Sequence, residues 1–333
     1  MIHSTFGAMT TIRALAQVRA IYDSDPSTLI TAGPDAQRIA TLGWIMIVAA
    51  TIVFVVVMAI LLIPLWRSRN TIASEDTLPV IVNERAWILY GGAAIPALIL
   101  SGVFVLTLSA LRTHVSAGPA QLTIEVIAHQ WWWEVRYPEQ QITTANEIHL
   151  PVGRQVMVML KSADVIHSFW IPNLAGKTDV IPGSNNSMWL QADRSGTWRG
   201  QCAEYCGVQH AHMDLTVVAE PGAVFARWVA NQRAEARQPA DSAVLAGERV
   251  FLELPCASCH QIRGTQASGR VGPDLTHFGS RLTIAAGTLP NMRGNLAGWI
   301  ENPDIIKPGT KMPAVPVDGP QLQAIVAYIE SLK

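Results

Sequence analysis

Apolar and polar positions follow different rules in different parts of this chain. Residues 39–66 carry no formal charge, and Ile45–Ile63 is almost purely apolar. Residues 86–111 form a second charge-free run. A helix needs about 20 apolar residues to cross a bilayer, so each run predicts a membrane span with length to spare. Trp44, Trp66, Trp87 and Tyr90 sit near the ends of the runs, where interfacial aromatics are expected. Pro64 and Pro96 are tolerable in membrane helices. Soluble core helices rarely run this long without a charge, so membrane helices are the better reading. The connecting segment 67–85 carries Arg67, Arg69 and Arg85, against Arg38 and Arg112 on the outer flanks. That small excess points toward a cytoplasmic loop.

From about Gln121 the period shortens to two. Leu122–Ile127 alternates and then runs into Trp131-Trp132-Trp133. Similar runs occupy Glu147–Leu150, Gln155–Leu160, Val165–Ile171, Ser187–Leu190 and Leu215–Val218, with Pro-Gly, Asn-Asn and Ser-Gly turns between them. Several short strands at this spacing predict a sandwich or barrel over 113–220. Residues 221–240 read as a helix-prone bridge ending at Pro239. Asp241 or Ser242 then caps a helix running to about Leu254. Residues 255–315 are Gly/Pro-rich loop with one short helix near Asn295–Glu301, and a last amphipathic helix runs from Pro320 to Leu332. Residues 1–38 are mixed and polar and show no ordinary signal-peptide pattern. They read as a loosely ordered tail with room for a short amphipathic helix around Ile12–Ile21.

Composition adds two constraints. The 333 residues suggest two or three domains, and the net charge of −1, spread evenly, argues against a nucleic-acid binder. With 50% hydrophobic residues the chain is not disordered. Its four cysteines fall in two pairs, Cys202/Cys206 and Cys256/Cys259. Four are too few for a disulfide scaffold of this size, and both pairs have metal or cofactor spacing.

The first pair lies in Cys202-Ala-Glu-Tyr-Cys206-Gly-Val-Gln-His210-Ala-His-Met213. Soft sulfur donors with imidazole suit copper. Two thiolates allow two coppers to share bridging sulfurs, each then needing one His. His210 is one. His167, at a strand end in Asp164-Val-Ile-His167-Ser-Phe, is the best second. A Cys/His zinc site and a disulfide remain as alternatives on spacing alone, although zinc has no use for Met213. His212 faces the alternate direction and reads as a non-ligand.

Three further stretches precede this loop: Ala128-His129-Gln130-Trp131-Trp132-Trp133, the His167 stretch, and Lys177-Thr-Asp179-Val-Ile-Pro182-Gly183. With the two apolar runs before them, the series resembles subunit II of cytochrome c oxidase. The resemblance implies a cupredoxin-like Greek-key β-barrel holding the binuclear copper centre CuA. In it Cys202 and Cys206 bridge the coppers, His167 and His210 each ligate one, and Met213 and the Glu204 carbonyl are weaker ligands. It further implies that the Glu204 side chain binds magnesium at the interface with subunit I. By the same resemblance electrons enter at Trp131 from a soluble cytochrome, while Trp132 and Trp133 read as strand and core aromatics. One departure stands out: Ser184 follows Pro182-Gly183 where that family commonly has arginine.

Cys256-Ala-Ser-Cys259-His260 has the C-x-x-C-H spacing of covalent haem attachment. Five residues alone also fit a zinc knuckle. The flanking helix, Gly272-Pro273-Asp274-Leu275 and Lys307-Pro-Gly-Thr-Lys-Met312-Pro add context. Together they resemble a class I c-type cytochrome, an all-α domain over 241–333. The resemblance implies His260 and Met312 as axial ligands, a pair that raises the haem potential. It also implies the Pro273 carbonyl as partner of the other His260 nitrogen, and Tyr328 and Trp299 packed near the haem. His3, His114, His129, His149 and His277 are expected to be structural or exposed.

The chain thus reads as multidomain. Residues 1–38 form an N-terminal extracytoplasmic segment and 39–112 a transmembrane hairpin (helices about 39–66 and 86–111). Residues 113–220 form the CuA domain, 221–240 a linker helix and 241–333 the cytochrome c domain. Resemblance to the caa-type haem–copper oxidases implies a role for the complex as a whole. Electrons pass from haem c to CuA and on to subunit I, with its haem a and CuB, where dioxygen is reduced and protons are pumped. Expected partners are subunits I and III, with a soluble or membrane-bound cytochrome or a quinol-oxidising complex as donor. The expected site is the bacterial inner membrane, with both redox domains periplasmic. The alternative is a membrane-anchored haem/copper electron-transfer or copper-donor protein outside an oxidase. All four sulfurs are assigned, so no disulfide is expected.

Overall fold

The charge-free runs become the long helices. The computed structural model describes residues 19–68, 83–112 and 122–333, and the chain divides into two compact units, Gln37–Ala117 and the rest. Helix α1 spans Pro34–Ser68 and outruns the apolar stretch at both ends. Proline in the first turn, Asp35 beside it and Arg67 in the last turn all suit helix ends. Helix α2 runs through Glu84–Ala86, Trp87–Ala94 and Ile95–Arg112, opened by the Asn83 side chain accepting from the Ala86 N–H at 3.1 Å. Its middle piece, Trp87–Ala94, is π-helical. It ends just before Pro96, which lacks the N–H the regular ladder needs. Both helices are long and apolar enough to cross a membrane. Their side chains point outward, Phe54 64% and Leu98 75% exposed, a surface that is costly in water and favourable in lipid.

The β-region forms two five-stranded sheets. One takes β1 (Thr123–His129), β2 (Trp132–Tyr137), β3 (Ile142–Ala145), β5 (Val156–Ser162) and β8 (Asn186–Leu190), in the order β3-β2-β1-β5-β8. The other takes β4 (Glu147–Pro151), β6 (His167–Trp170), β7 (Thr178–Val180), β9 (Gly196–Cys202) and β10 (Asp214–Glu220), in the order β4-β10-β9-β6-β7. Alternation along β1 and β5 sends Ile124, Val126, Val158 and Leu160 inward, where they meet Trp133, Phe169 and Trp198. This is the expected cupredoxin-like architecture. The strands β3, β7 and β9 lie outside the alternating runs of the sequence.

Two segments outside the sheets also seal this core. The helix α3 (Gly222–Arg233) lays Phe225, Trp228 and Val229 on it. Trp228 stacks at 4.3 Å on His149, whose ring sits between the carboxylates of Glu147 (2.8 Å) and Glu220 (3.0 Å). Burial opposes the charged imidazole, but the two carboxylates prevail and hold its pKa above the ordinary value. The segment before α1 was expected to be loose, yet its described residues pack against the sheets. The Ala32 N–H donates to Asn173 O at 2.7 Å, and Asn173 Nδ2 donates to Ile30 O at 2.7 Å. Its polar composition hides this, because these two contacts are made by its backbone. The amphipathic helix expected around Ile12–Ile21 lies largely outside the described residues.

The C-terminal module is helical: α4 (Ser242–Glu253), α5 (Cys256–Cys259), α6 (Arg293–Glu301), α7 (Pro303–Ile306) and α8 (Gly319–Ser331), with a two-strand ribbon, Thr283–Ile284 against Leu289–Pro290. Asp241 caps α4 as expected, accepting from the Ala243 N–H at 2.7 Å. Asp318 and Gln321 form a reciprocal capping box on α8. Helices α4 and α8 cross at Gly247, where a Cβ would lie 2.0 Å from Ala324 O. Gly247→Ala is expected to cost about 1–3 kcal/mol through overpacking, read as faster hydrogen exchange in both helices of the full chain. Unchanged exchange would mean that the crossing is not this close.

Candidate functional site

Strand pairing assembles the first donor cluster. His167 opens β6, Cys202 closes β9, and β6 pairs antiparallel with β9 so that Phe169 faces Cys202. Beyond Cys202 the chain loops through Cys206 and a one-turn helix at His210–His212, then re-enters the sheet as β10. The loop closes where Cys202 N–H donates to Met213 O at 3.1 Å. The residues between are thereby folded over His167.

The result gathers every predicted donor. Cys202 Sγ lies 3.8 Å from Cys206 Sγ, 3.8 Å from His167 Nδ1 and 3.2 Å from the Glu204 carbonyl. Cys206 Sγ lies 3.7 Å from His210 Nδ1 and 3.9 Å from Met213 Sδ. His167, Cys202 and Cys206 are buried with their ligand atoms within 4.8 Å of one another, and neither cysteine is in a disulfide. Two thiols, two imidazoles, a thioether and a carbonyl converging on one spot form a soft donor set that fits copper. The thiols ionise unequally. Cys206 and the His167 ring pull Cys202 toward thiolate, and that thiolate next door pushes the Cys206 pKa up.

Neighbouring groups hold the donors in place. Asp164 Oδ1 meets His167 Nε2 at 2.9 Å, so the ring turns Nδ1 to the sulfurs. Asp164 Oδ2 accepts the Gln130 N–H at 2.7 Å. Trp131 Nε1 and Gln130 Nε2 both donate to Cys206 O, at 3.0 and 2.8 Å. Gly207 has φ +119° and a Cβ there would lie 3.0 Å from the Trp131 ring, so the turn needs glycine. The Glu204 carboxylate is exposed, while its carbonyl faces inward. His212 Nδ1 bonds to Gln209 Oε1 at 2.8 Å, away from the sulfurs, as expected of a non-ligand. Ser184 is exposed beside Gly183, whose φ is +76°.

The second pair sits on α5, with Cys256 and Cys259 half-buried and unpaired. His260 Nδ1 donates to Pro273 O at 2.8 Å, leaving Nε2 free to ligate. Burial depresses the His260 pKa, which favours the neutral imidazole a metal needs. The chain closes around this ring through glycines. A Cβ on Gly272 would fall 2.6 Å from His260 Cε1, and one on Gly269 would fall 2.4 Å from Ser258 O. Two free thiols and a neutral, oriented imidazole on one short helix fit covalent haem. Met312 stands half-buried on the separate segment between α7 and α8.

Two residues near the sites carry contacts that the motifs did not point out. Asp164 was visible in outline, three residues before His167, a spacing open to carboxylate–imidazole pairing. Lys307 gave no signal. It is 3% exposed, and its ammonium donates to Trp131 O at 2.7 Å and Ala285 O at 3.3 Å. Burial lowers its pKa to about 7 against the pull of Asp214.

Comparison with known proteins places the chain in a family. The family profile described as cytochrome C oxidase subunit II, periplasmic domain, matches residues 139–220, and that of cytochrome c matches 244–333. Cytochrome c oxidase subunit 2 of Alkalihalophilus pseudofirmus is 35% identical over 308 residues, 90% of this chain and 89% of the relative. That of Bacillus subtilis is 30% identical over 287 residues, 80% of each. Among solved structures, the periplasmic domain of subunit II of cytochrome oxidase of Bradyrhizobium japonicum is 32% identical, with a TM-score of 0.34, over 35% of this chain and 96% of that one. With similarity that runs through the apolar helices, the sheets and the haem motif alike, the chain belongs to the cytochrome c oxidase subunit 2 family.

Proposed function

We propose that this chain is subunit II of a haem–copper terminal oxidase, relaying electrons from haem c on its C-terminal module to CuA and on to subunit I, where dioxygen is reduced and protons are pumped. The observation that carries the reading is that one chain holds both the converged sulfur–imidazole cluster and a C-x-x-C-H helix. Copper and haem bound there supply one-electron redox chemistry at a metal that keeps its ligands.

The residues do the positioning. Cys202, Cys206, His167, His210, Met213 and the Glu204 carbonyl would hold the copper pair. Cys256 and Cys259 would carry the haem covalently, with His260 and Met312 as axial ligands. Asp164 orients His167, and the Pro273 carbonyl orients His260. Trp133 and Phe169, both fully buried, keep water from the His167 side. Donors fixed by strand ladders and a dry wall move little when charge changes, which suits fast transfer. The exposed Glu204 carboxylate remains available for magnesium at the interface with subunit I.

The helices α1 and α2 anchor the chain in the bacterial inner membrane, and both redox modules face the periplasm. Subunit III and a cytochrome or quinol-oxidising donor complete the assembly. A copper-donor protein needs a site that releases its metal, but here His167 and Met213 are 0% exposed and Cys206 is 3% exposed. That burial favours a resident electron-transfer centre.

The purified chain is expected to show reduced haem c bands together with the EPR signal of a two-copper centre. A single-copper signal, or missing haem bands, rules the reading out. Met213→Leu is expected to shift or damage the copper signal and leave the haem bands unchanged, and an unchanged copper signal would remove Met213 from the site. Asp164→Asn is expected to weaken copper retention about 10–100-fold in chelator competition, and equal retention would show that His167 needs no orienting partner.

A further inference from the structure

The two redox modules are fastened to each other by side chains that neither site needs for its own donors. Lys307 lies between α7 and Met312, and a lysine buried to this degree is rare without a specific partner. It reaches across the seam to the Trp131 carbonyl (2.7 Å), and the Trp131 indole N–H continues to the Cys206 carbonyl (3.0 Å). One residue on, the buried Gln209 side chain donates across the seam to Pro308 O at 2.6 Å. Gly309, with φ +80°, brings its backbone so close to Val208 that a Cβ would sit 3.0 Å from it. Backbone joins in as well: Asp214 N–H donates to Ala286 O at 3.0 Å, and Leu282 N–H to Glu147 Oε2 at 3.0 Å. The exposed Lys311–Asp164 pair at 3.6 Å adds little, because solvent screens it.

From this chain of contacts we propose that Lys307 is a positioning residue. It locks the segment leading to Met312 onto the Trp131–Cys206 wall of the sulfur pocket, and so sets the separation and orientation of the two redox modules. Trp131 is then a joint inside the chain, with its indole on the pocket side and its carbonyl on the haem-module side. The inference rests on the oxidase reading for its consequence, and on the seam contacts for its existence. A donor buried against a carbonyl, instead of an ion pair at the rim, makes the contact specific to one register.

The test uses the full chain in detergent. In the metal-free protein the amides of Leu282 and Asp214, which cross the seam, report whether the modules are docked. Lys307→Met keeps the aliphatic stem and removes the donor. It is expected to speed exchange at both amides about tenfold, while amides inside β1 keep wild-type rates. Gly309→Val puts a branched side chain at a left-handed φ and within 3.0 Å of Val208 Cγ2 across the seam, without touching a buried charge. It serves if the first variant does not accumulate, and carries the same expectation. Lys311→Ala is expected to change neither amide. In the loaded protein, the magnetic relaxation of the copper signal by ferric haem depends on their separation. It is expected to weaken in Lys307→Met while each centre keeps its own spectrum. Wild-type exchange and wild-type relaxation in Lys307→Met, or in Gly309→Val where the first variant does not accumulate, would overturn the proposal. If the loaded wild-type chain lacks either spectrum the oxidase reading fails, and the exchange rates still decide the lock.

Discussion

Everything in the sulfur pocket depends on β9 being paired on both edges. Its antiparallel ladder with β6 carries Cys202 to the level of His167, and its ladder with β10 returns the chain under Met213. Donors far apart in sequence are thus placed by backbone hydrogen bonds, before any side chain contributes. The loop between has little freedom left, being pinned at Cys202 N–H, at Ala203 N–H on Ser168 O, and at Cys206 O. The two thiols stand 3.8 Å apart, well beyond the about 2.05 Å of an S–S bond.

The haem module uses a different means to the same end. Its His260 is aimed by a single carbonyl, and the chain is brought around the ring by glycines instead of by a sheet. A site on loops needs such close backbone approach, since it has no ladder to set distances. This explains why Gly/Pro-rich sequence, an ordinary sign of irregular loop, coincides here with closely packed backbone around His260.

The legible parts of the sequence were those where one physical pattern dominates. Uninterrupted apolar runs showed α1 and α2, alternation showed β1 and β5, and fixed spacing showed the Cys202–Met213 loop and the C-x-x-C-H helix. Strand β9 was not legible, though it is central. Gly196-Thr-Trp-Arg-Gly-Gln-Cys202 lacks alternation of large residues because Gly200 must be bare, a Cβ there falling 2.6 Å from Leu215 Cδ2. The described residues before α1 were read as a loose tail because composition is blind to backbone donors such as Ala32 N–H. Lys307 was unreadable for the opposite reason: lysine is the residue least expected inside, and only the tertiary seam gives it a partner. Asp164 lay between these cases, its spacing to His167 visible but its second oxygen's tie to Gln130 not.

Glu147 joins three parts of the chain through one carboxylate. One oxygen faces the His149 ring that Trp228 of α3 covers, and the other accepts the Leu282 N–H of the haem module. Loosening any of the three leaves a buried acceptor or the His149 ring short of its partner, so the three share one penalty. Their stabilities are therefore coupled instead of additive. For a chain that carries both modules, that coupling matters whenever one of them is changed. A change that either module would tolerate alone then meets a shared penalty, so neither can be altered as if the other were absent.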